Sequence, residues 1–344
     1  MSCTIVVGGQ YGSEGKGKVV FLLSKHLSAP WIVRCGGPNS GHTTSFRGKD
    51  VVLRQVPAGA DHPNALLLLS AGCAVDVDLL LAELEVLQIS RERIVVDPRA
   101  VVVTEADRRA EAEGAAHIGS TSSGTGAALI RRMERSHETV LAADSEQLGE
   151  RVRIEPVAPL LHAHLERRGD LIVEGTQGFG LSLLHGFEYP YVTARDTTAA
   201  GFASEVGLSP RHVDAITMVM RTYPIRVGGN SGPFPGEIDW EMVQAFSRAP
   251  APYPELTSVT RRVRRVARFD MEAVTTACRY NRPTSLAVMG LDRFDYKNTK
   301  AKCTAELTAG TIEFLRSIEQ QTSVPVDWVG TGFGTHDAFR RSAS

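Results

Sequence analysis

The chain has 344 residues, 42% of them hydrophobic, with a formal net charge of -1. That is enough apolar material for a large core, and the charge balance gives no reason to expect nucleic acid as a partner. The five cysteines (Cys3, Cys35, Cys73, Cys278, Cys303) include no Cys-x-x-Cys pair, which speaks against a zinc ribbon or a disulfide framework and suits a reducing cytosol.

The first element predicted is a strand, CTIVV, Cys3–Val7. No basic n-region or long apolar core precedes it, so no signal peptide and a cytoplasmic location are expected. Behind it stands GGQYGSEGKGKVV, Gly8 to Val20. A strand, a glycine-rich turn and a helix start make a phosphate cradle, with backbone N–H groups converging and Lys16 and Lys18 adding charge. Gly12 to Lys18 fits Gly-x-x-x-x-Gly-Lys, but Val19 stands where a strict P-loop carries Ser or Thr for magnesium. The plainer alternative is a glycine-rich turn with solvated lysines.

Next come the strand PWIVRC and the turn RCGGPNSGHTT, Arg34 to Thr44. Asn39 can bond phosphate or base, and His42 is expected at an exposed turn, where it could act as an acid or simply be solvated. The run ALLLLSAGCAVDVDLLLAEL is broken by Gly72, Asp76 and Asp78, so it reads as a strand and a helix over VDLLLAELEVL, with no membrane span. RIVVD follows as a strand.

GSTSSGTGAALIRRMER, Gly119 to Arg135, reads as a second anion-binding turn leading into a helix that carries Arg131, Arg132 and Arg135, or else as a flexible Ser/Gly loop. SEQLGERVRIEPVAPLLHAHLERRG reads as helical. LIVEGTQGFG is a strand ending in Glu174, Gly175 and Gln177, and this glutamine could read a base edge or hold a loop. YPYVTARDTTAAG and YPIRVGGNSGPFPGE are rich in turn formers and hydroxyls, as a nucleotide pocket is. AITMVM, TSLAVMG and VDWVGT are further strands. FSRAPAPYPEL, Phe246 to Leu256, reads as a surface loop, and VTRRVRRVAR, Val259 to Arg268, as a bidentate carboxylate or phosphate site or an exposed helix face. Apolar strands alternating with amphipathic helices predict an α/β fold: one elaborated domain over residues 1–344, with a mainly parallel sheet and helices on both faces.

Taken together, GSEGKGK, NSGHT, GSTSSGTG, EGTQG, YPYVT, RVGGNSGPFP, VTRRVRR and MGLD stand in the order found in adenylosuccinate synthetases. The chain resembles that family over its whole length. The resemblance implies a ligase that phosphorylates O6 of a purine monophosphate with a nucleoside triphosphate and Mg2+, then lets the amine of L-aspartate displace the phosphate. It implies that Gly12, Gly15, Gly17 and Lys16 cradle the transferred phosphoryl group and that His42 is the acid. Asn39, Thr121, Gln177, Thr193 and Val227 are expected around the substrate nucleotide, and Asp292 at the base of the phosphoryl donor. Thr260, Arg262 and Arg264 match the aspartate loop, and the Gly41 carbonyl and Ser13 are the implied metal ligands. Arg135 matches an arginine that crosses a homodimer interface to the partner's monophosphate.

Departures from the family pattern carry the finer expectation. The family reads Gly-Asp-Glu-Gly-Lys-Gly-Lys, and its aspartate takes the N1 proton of IMP; here Ser13 replaces it. A hydroxyl is a poor base but is small and neutral, so it leaves room for the exocyclic amine that distinguishes guanine from hypoxanthine. The change resembles the PurZ-like phage branch, which acts on dGMP to make 2-amino-2'-deoxyadenylosuccinate for diaminopurine DNA. Gly290 replaces a lysine in the donor-base motif, so that pocket departs from the family pattern; the resemblance to the phage branch implies ATP or dATP as donor, while Asp292 itself could accept from adenine or from guanine. The rivals are an ordinary synthetase using IMP and GTP, an inactive nucleotide-binding regulator, and a nucleoside monophosphate kinase.

Overall fold

The computed structural model describes residues 2–114, 118–257 and 262–341. Its centre is a ten-stranded sheet in the order Ala338–Arg340, Val326–Gly330, Ser285–Met289, Ala215–Arg221, Cys3–Gly8, Leu171–Glu174, Trp31–Arg34, Leu66–Leu69, Ile94–Val96, Arg153–Ile154. Every neighbouring pair is parallel except the outermost, Val326–Gly330 with Ala338–Arg340. All eight apolar runs singled out in the sequence lie in this sheet.

The strands are apolar throughout because both faces are covered. Side chains alternate along Cys3–Gly8, here β1: Ile5 and Val7 pack into one core, and Val6 into the other. The first core is closed by Val157–Glu166, Ala199–Glu205, Met271–Asn281 and Ala309–Thr322; the second is closed by Lys16–Lys25, here α1, and by Val77–Leu87. Several of these helices start on the expected caps. Asp76, Thr198 and Asp270 each accept a first-turn N–H, from Leu79, Gly201 and Ala273.

Three predicted elements differ. The stretch from Ser145 to Gly169 is two helices, Glu146–Arg151 and Val157–Glu166, around the short edge strand Arg153–Ile154. Pro156 disfavours helical backbone at Glu155, and a neighbouring sheet edge takes the β-branched segment. The described part of the arginine-rich stretch, from residue 262 on, is no helix face: Arg265–Ala267 is the middle strand of a small antiparallel sheet with Ile225–Arg226 and Glu237–Ile238. Phe246 and Ser247 belong to the helix Trp240–Ser247, and only the remainder of that proline-rich stretch is loop. The small sheet packs Ala267 and Phe234 against Tyr11, which brings the arginines over the turn that follows β1. No helix among the described residues is long and apolar enough to cross a membrane.

Candidate active site

The turn between β1 and α1 lies at the carboxyl end of a central strand, where an open parallel sheet forms its crevice. Three residues there have left-handed backbone: Gly12 at φ 86°, Ser13 at φ 56° and Gly15, which precedes α1, at φ 102°. Glu14 folds the turn from inside. One of its oxygens accepts from the N–H groups of Gly12 at 2.8 Å and Gln10 at 3.2 Å, and the other from Lys16 Nζ at 2.7 Å. A Cβ on Gly178 would come 2.2 Å from Glu14 Oε1, so only glycine leaves space for that carboxylate. Lys16 also donates to the Gln177 carbonyl. Gly17 lets α1 approach the next strand, since a Cβ there would meet the Thr43 carbonyl at 2.6 Å.

The two lysines part company. Lys16 lines the large cavity over the turn, whereas Lys18 donates to the Gly332 carbonyl at 2.9 Å and is absent from the cavity wall. Burial pulls the Lys18 ammonium down to about 8, against the opposing pull of Asp292, Asp337 and Asp50.

His42 is buried as the first residue of the strand His42–Phe46, a correction to its expected exposed turn. Its Nδ1 lies 2.5 Å from Glu174 Oε1. The same oxygen accepts from Arg34 at 2.9 Å, and the second accepts from the Ala58 N–H at 2.7 Å. Burial, aided by Arg34, pushes the His42 pKa down to about 4, although Glu174 works the other way. Burial also works to raise the Glu174 pKa, yet Arg34 and His42 hold it below its ordinary value. The ring is therefore neutral near pH 7, with Nδ1–H donating to the carboxylate and Nε2 left as an acceptor.

The cavity holds about 850 Å³. Of the residues singled out in the sequence, Gly12, Ser13, Lys16, Asn39, Gly41, His42, Thr121, Gln177, Thr193, Val227, Arg262 and Arg264 all line it. Thr260 lies outside the described residues. Gly15 and Gly17 shape the turn from behind, and neither lines the cavity.

The expected arginine row on the helix Thr125–Met133 does not form. Arg131 pairs with Asp107 at 2.7 Å, Arg132 donates to the Ala71 carbonyl, and Arg135 lies beyond the helix, exposed, with φ 55°. A left-handed residue ends the helical periodicity, so spacing alone misplaced Arg135. Asp292 is buried outside this cavity, and burial raises its pKa.

Several site residues carried too weak a signal alone. Arg34 and Glu174 end two strands that read as apolar, and they meet only because those strands are neighbours in the sheet. Glu255 pairs with Arg221 and lies 3.4 Å from Arg293. Burial works to raise the Glu255 pKa, yet these two arginines hold it below its ordinary value. Arg221 also donates to the Ser13 carbonyl at 3.0 Å, which ties the turn to the arginine-rich wall. Burial pulls the Arg264 pKa down despite Glu255 nearby, and the residue lines the cavity.

A glycine turn at the crevice of a parallel sheet, with a lysine, a buried imidazole–carboxylate pair and arginines around one cavity, defines an α/β enzyme that handles phosphorylated nucleotides. The family model for adenylosuccinate synthetase matches residues 5–154 and 137–304. Adenylosuccinate synthetase of Methanocaldococcus jannaschii is 39% identical over 342 residues, covering 98% of this chain and 96% of that protein. The Pyrococcus horikoshii adenylosuccinate synthetase is 38% identical and covers 96% of each. The chain belongs to the adenylosuccinate synthetase family and is a ligase forming carbon–nitrogen bonds, a family that uses Mg2+ and a nucleoside triphosphate. Among solved structures, the fully ligated Plasmodium falciparum adenylosuccinate synthetase superposes with TM-score 0.87 at 19% identity over 98% of this chain and 99% of that one. The cyanophage S-2L succinoaminodeoxyadenylate synthetase (PurZ), bound to dGMP and dATP, superposes with TM-score 0.83 at 29% identity over 98% and 95%.

Proposed function

We propose that the enzyme joins L-aspartate to C6 of dGMP through a 6-phosphoryl intermediate, with ATP or dATP as donor, and yields 2-amino-2'-deoxyadenylosuccinate for diaminopurine DNA. The observation that carries this reading is Ser13, an exposed, neutral residue that lines the cavity. A carboxylate there would face the guanine amine and N1 with charge and bulk, whereas a hydroxyl offers space and one hydrogen bond. The likeness to a solved protein bound to dGMP and dATP supports it.

In this mechanism Lys16, oriented by Glu14, neutralises charge as O6 attacks the γ-phosphoryl group, the nucleoside diphosphate leaves, and the N1 proton passes to water or to the triphosphate. His42, oriented by Glu174, contacts the transferred phosphoryl group, and phosphate charge there raises its proton affinity. Arg262 and Arg264, with Thr260, clamp the carboxylates of aspartate. Asn39, Thr121, Gln177, Thr193 and Val227 hold the substrate nucleotide, and Asp292 contacts the donor base. In a homodimer Arg135 serves the partner's monophosphate. Ser13 and Gly41 line the cavity, and the Gly41 carbonyl and Ser13 hydroxyl, as neutral oxygen donors, would fit a magnesium ion held mainly by the triphosphate. That ion supplies charge neutralisation at the phosphates.

The names of the archaeal relatives favour a second reading, an ordinary synthetase using IMP and GTP. The two part in one assay. The enzyme is incubated with L-aspartate, Mg2+ and each pairing of dGMP, GMP or IMP with ATP, dATP or GTP, and the succinylated product is followed. Turnover of dGMP with ATP or dATP is expected; turnover of IMP with GTP but not of dGMP rejects the proposal. Ser13→Asp is expected to lower dGMP turnover by about two orders of magnitude, and an unchanged rate removes this account of Ser13.

A further inference from the structure

We propose that Glu111 is a built-in stand-in for the substrate's phosphate. Its carboxylate occupies the phosphate seat of the empty enzyme and must leave when a nucleotide monophosphate enters. This rests on the reading that residues 119–126 receive that monophosphate.

Glu111 lies on the helix Glu105–Gly114 and lines the cavity beside Ser120 and Thr121. One carboxylate oxygen accepts from the Ser120 hydroxyl at 2.5 Å; the other accepts from the Gly126 N–H at 3.0 Å. Gly126 sits in the first turn of the helix Thr125–Met133, which starts from a left-handed Gly124 with no side-chain cap. A carboxylate from another helix thus takes both the hydroxyl and the backbone donor that an anion would seek at a helix start.

Its neighbour on the same helix is held differently. Asp107 is paired with Arg131 at 2.7 Å, but no cation among the described residues pairs with Glu111, although it is only 8% exposed. Neutral donors and the helix start are its compensation. They are the same groups a phosphate uses, and two anions cannot share them. Entry of the monophosphate therefore requires Glu111 to turn out. The apparent affinity is then lower than the intrinsic one by the fraction of molecules in which the seat is open.

The test uses the full-length enzyme, Glu111→Gln and Thr121→Ala, with calorimetric titration of dGMP, IMP, inorganic phosphate and deoxyguanosine. Glu111→Gln keeps the shape and removes the charge, and its thermal melt without nucleotide checks the fold; Glu111→Ala is the second variant should Gln lower the melt. Glu111→Gln is expected to bind the monophosphate about tenfold more tightly and inorganic phosphate more tightly too, with deoxyguanosine unaffected. A purely structural Glu111 has no reason to separate phosphate from nucleoside. Monophosphate binding that is unchanged or weaker in both Glu111 variants, while Thr121→Ala weakens it, overturns the proposal alone. Wild-type monophosphate binding by Thr121→Ala shows that the seat lies elsewhere, and the proposal falls with the reading beneath it.

Discussion

On the sheet side of the cavity, Glu174 is fully buried and both its oxygens are taken, by Arg34, His42 and the Ala58 N–H. By contrast, Thr121 and Arg262, which line the same cavity, are exposed. One region is set before any substrate arrives, and the other presents glycines, hydroxyls and guanidinium groups to solvent. The contrast follows the chemistry. Charge that develops during phosphoryl transfer is best met by groups already in place. Substrates must also enter and leave, and that calls for a side with few buried contacts.

The largest expected effect comes from breaking the preset region. Glu174→Gln leaves Arg34 without its buried counter-charge and turns one acceptor oxygen into an NH2 donor that faces the donors of Arg34 and His42 or of Ala58. Turnover is expected to fall about 100-fold or more, measured under saturating substrates. A rate within a few-fold of wild type would mean that the pair does not position His42. A smaller and different effect is expected at the open side. Arg264→Ala should raise the KM for aspartate about tenfold or more and leave the KM for the purine nucleotide little changed. An equal rise in both would move Arg264 out of the aspartate site.

The smallest effect is a pH dependence of stability. His42 binds its proton less readily in the folded chain, at about 4, than in the unfolded one. Between that value and the ordinary histidine range the unfolded state holds more protons. The stabilising contribution is therefore full above the ordinary value and declines as pH falls toward 4. Urea titrations across pH 4–7 should show a shallower decline for His42→Asn, and parallel curves would contradict the depressed value.

The fold was largely legible because strands buried on both faces are runs of Val, Ile and Leu, and all eight runs reached the sheet. The two extra strands were not, because Arg153–Ile154 and Ala338–Arg340 are short edge pieces whose pairing depends on the neighbouring strands. Glycine turns and hydroxyl-rich loops pointed to most of the cavity wall. The partnerships that orient it stayed hidden: Glu174 with His42, and Glu255 with Arg221, join residues far apart in the chain. Packing of separate elements, not local pattern, makes them neighbours: His42 and Glu255 both lie outside the ten-stranded sheet whose strands end in Glu174 and Arg221. Arg135 marks the opposite failure, where spacing suggested a helical face and one left-handed residue ended it.

Lys16 leans on the Gln177 carbonyl, and the Ser13 carbonyl is held by Arg221. The glycine turn is thus complete only when residues more than 160 positions downstream have reached it. During synthesis the nascent N-terminal third carries the whole phosphate motif without a working cradle. Until the central strands of its sheet have zipped together, an emerging chain lacks the contacts that close this turn.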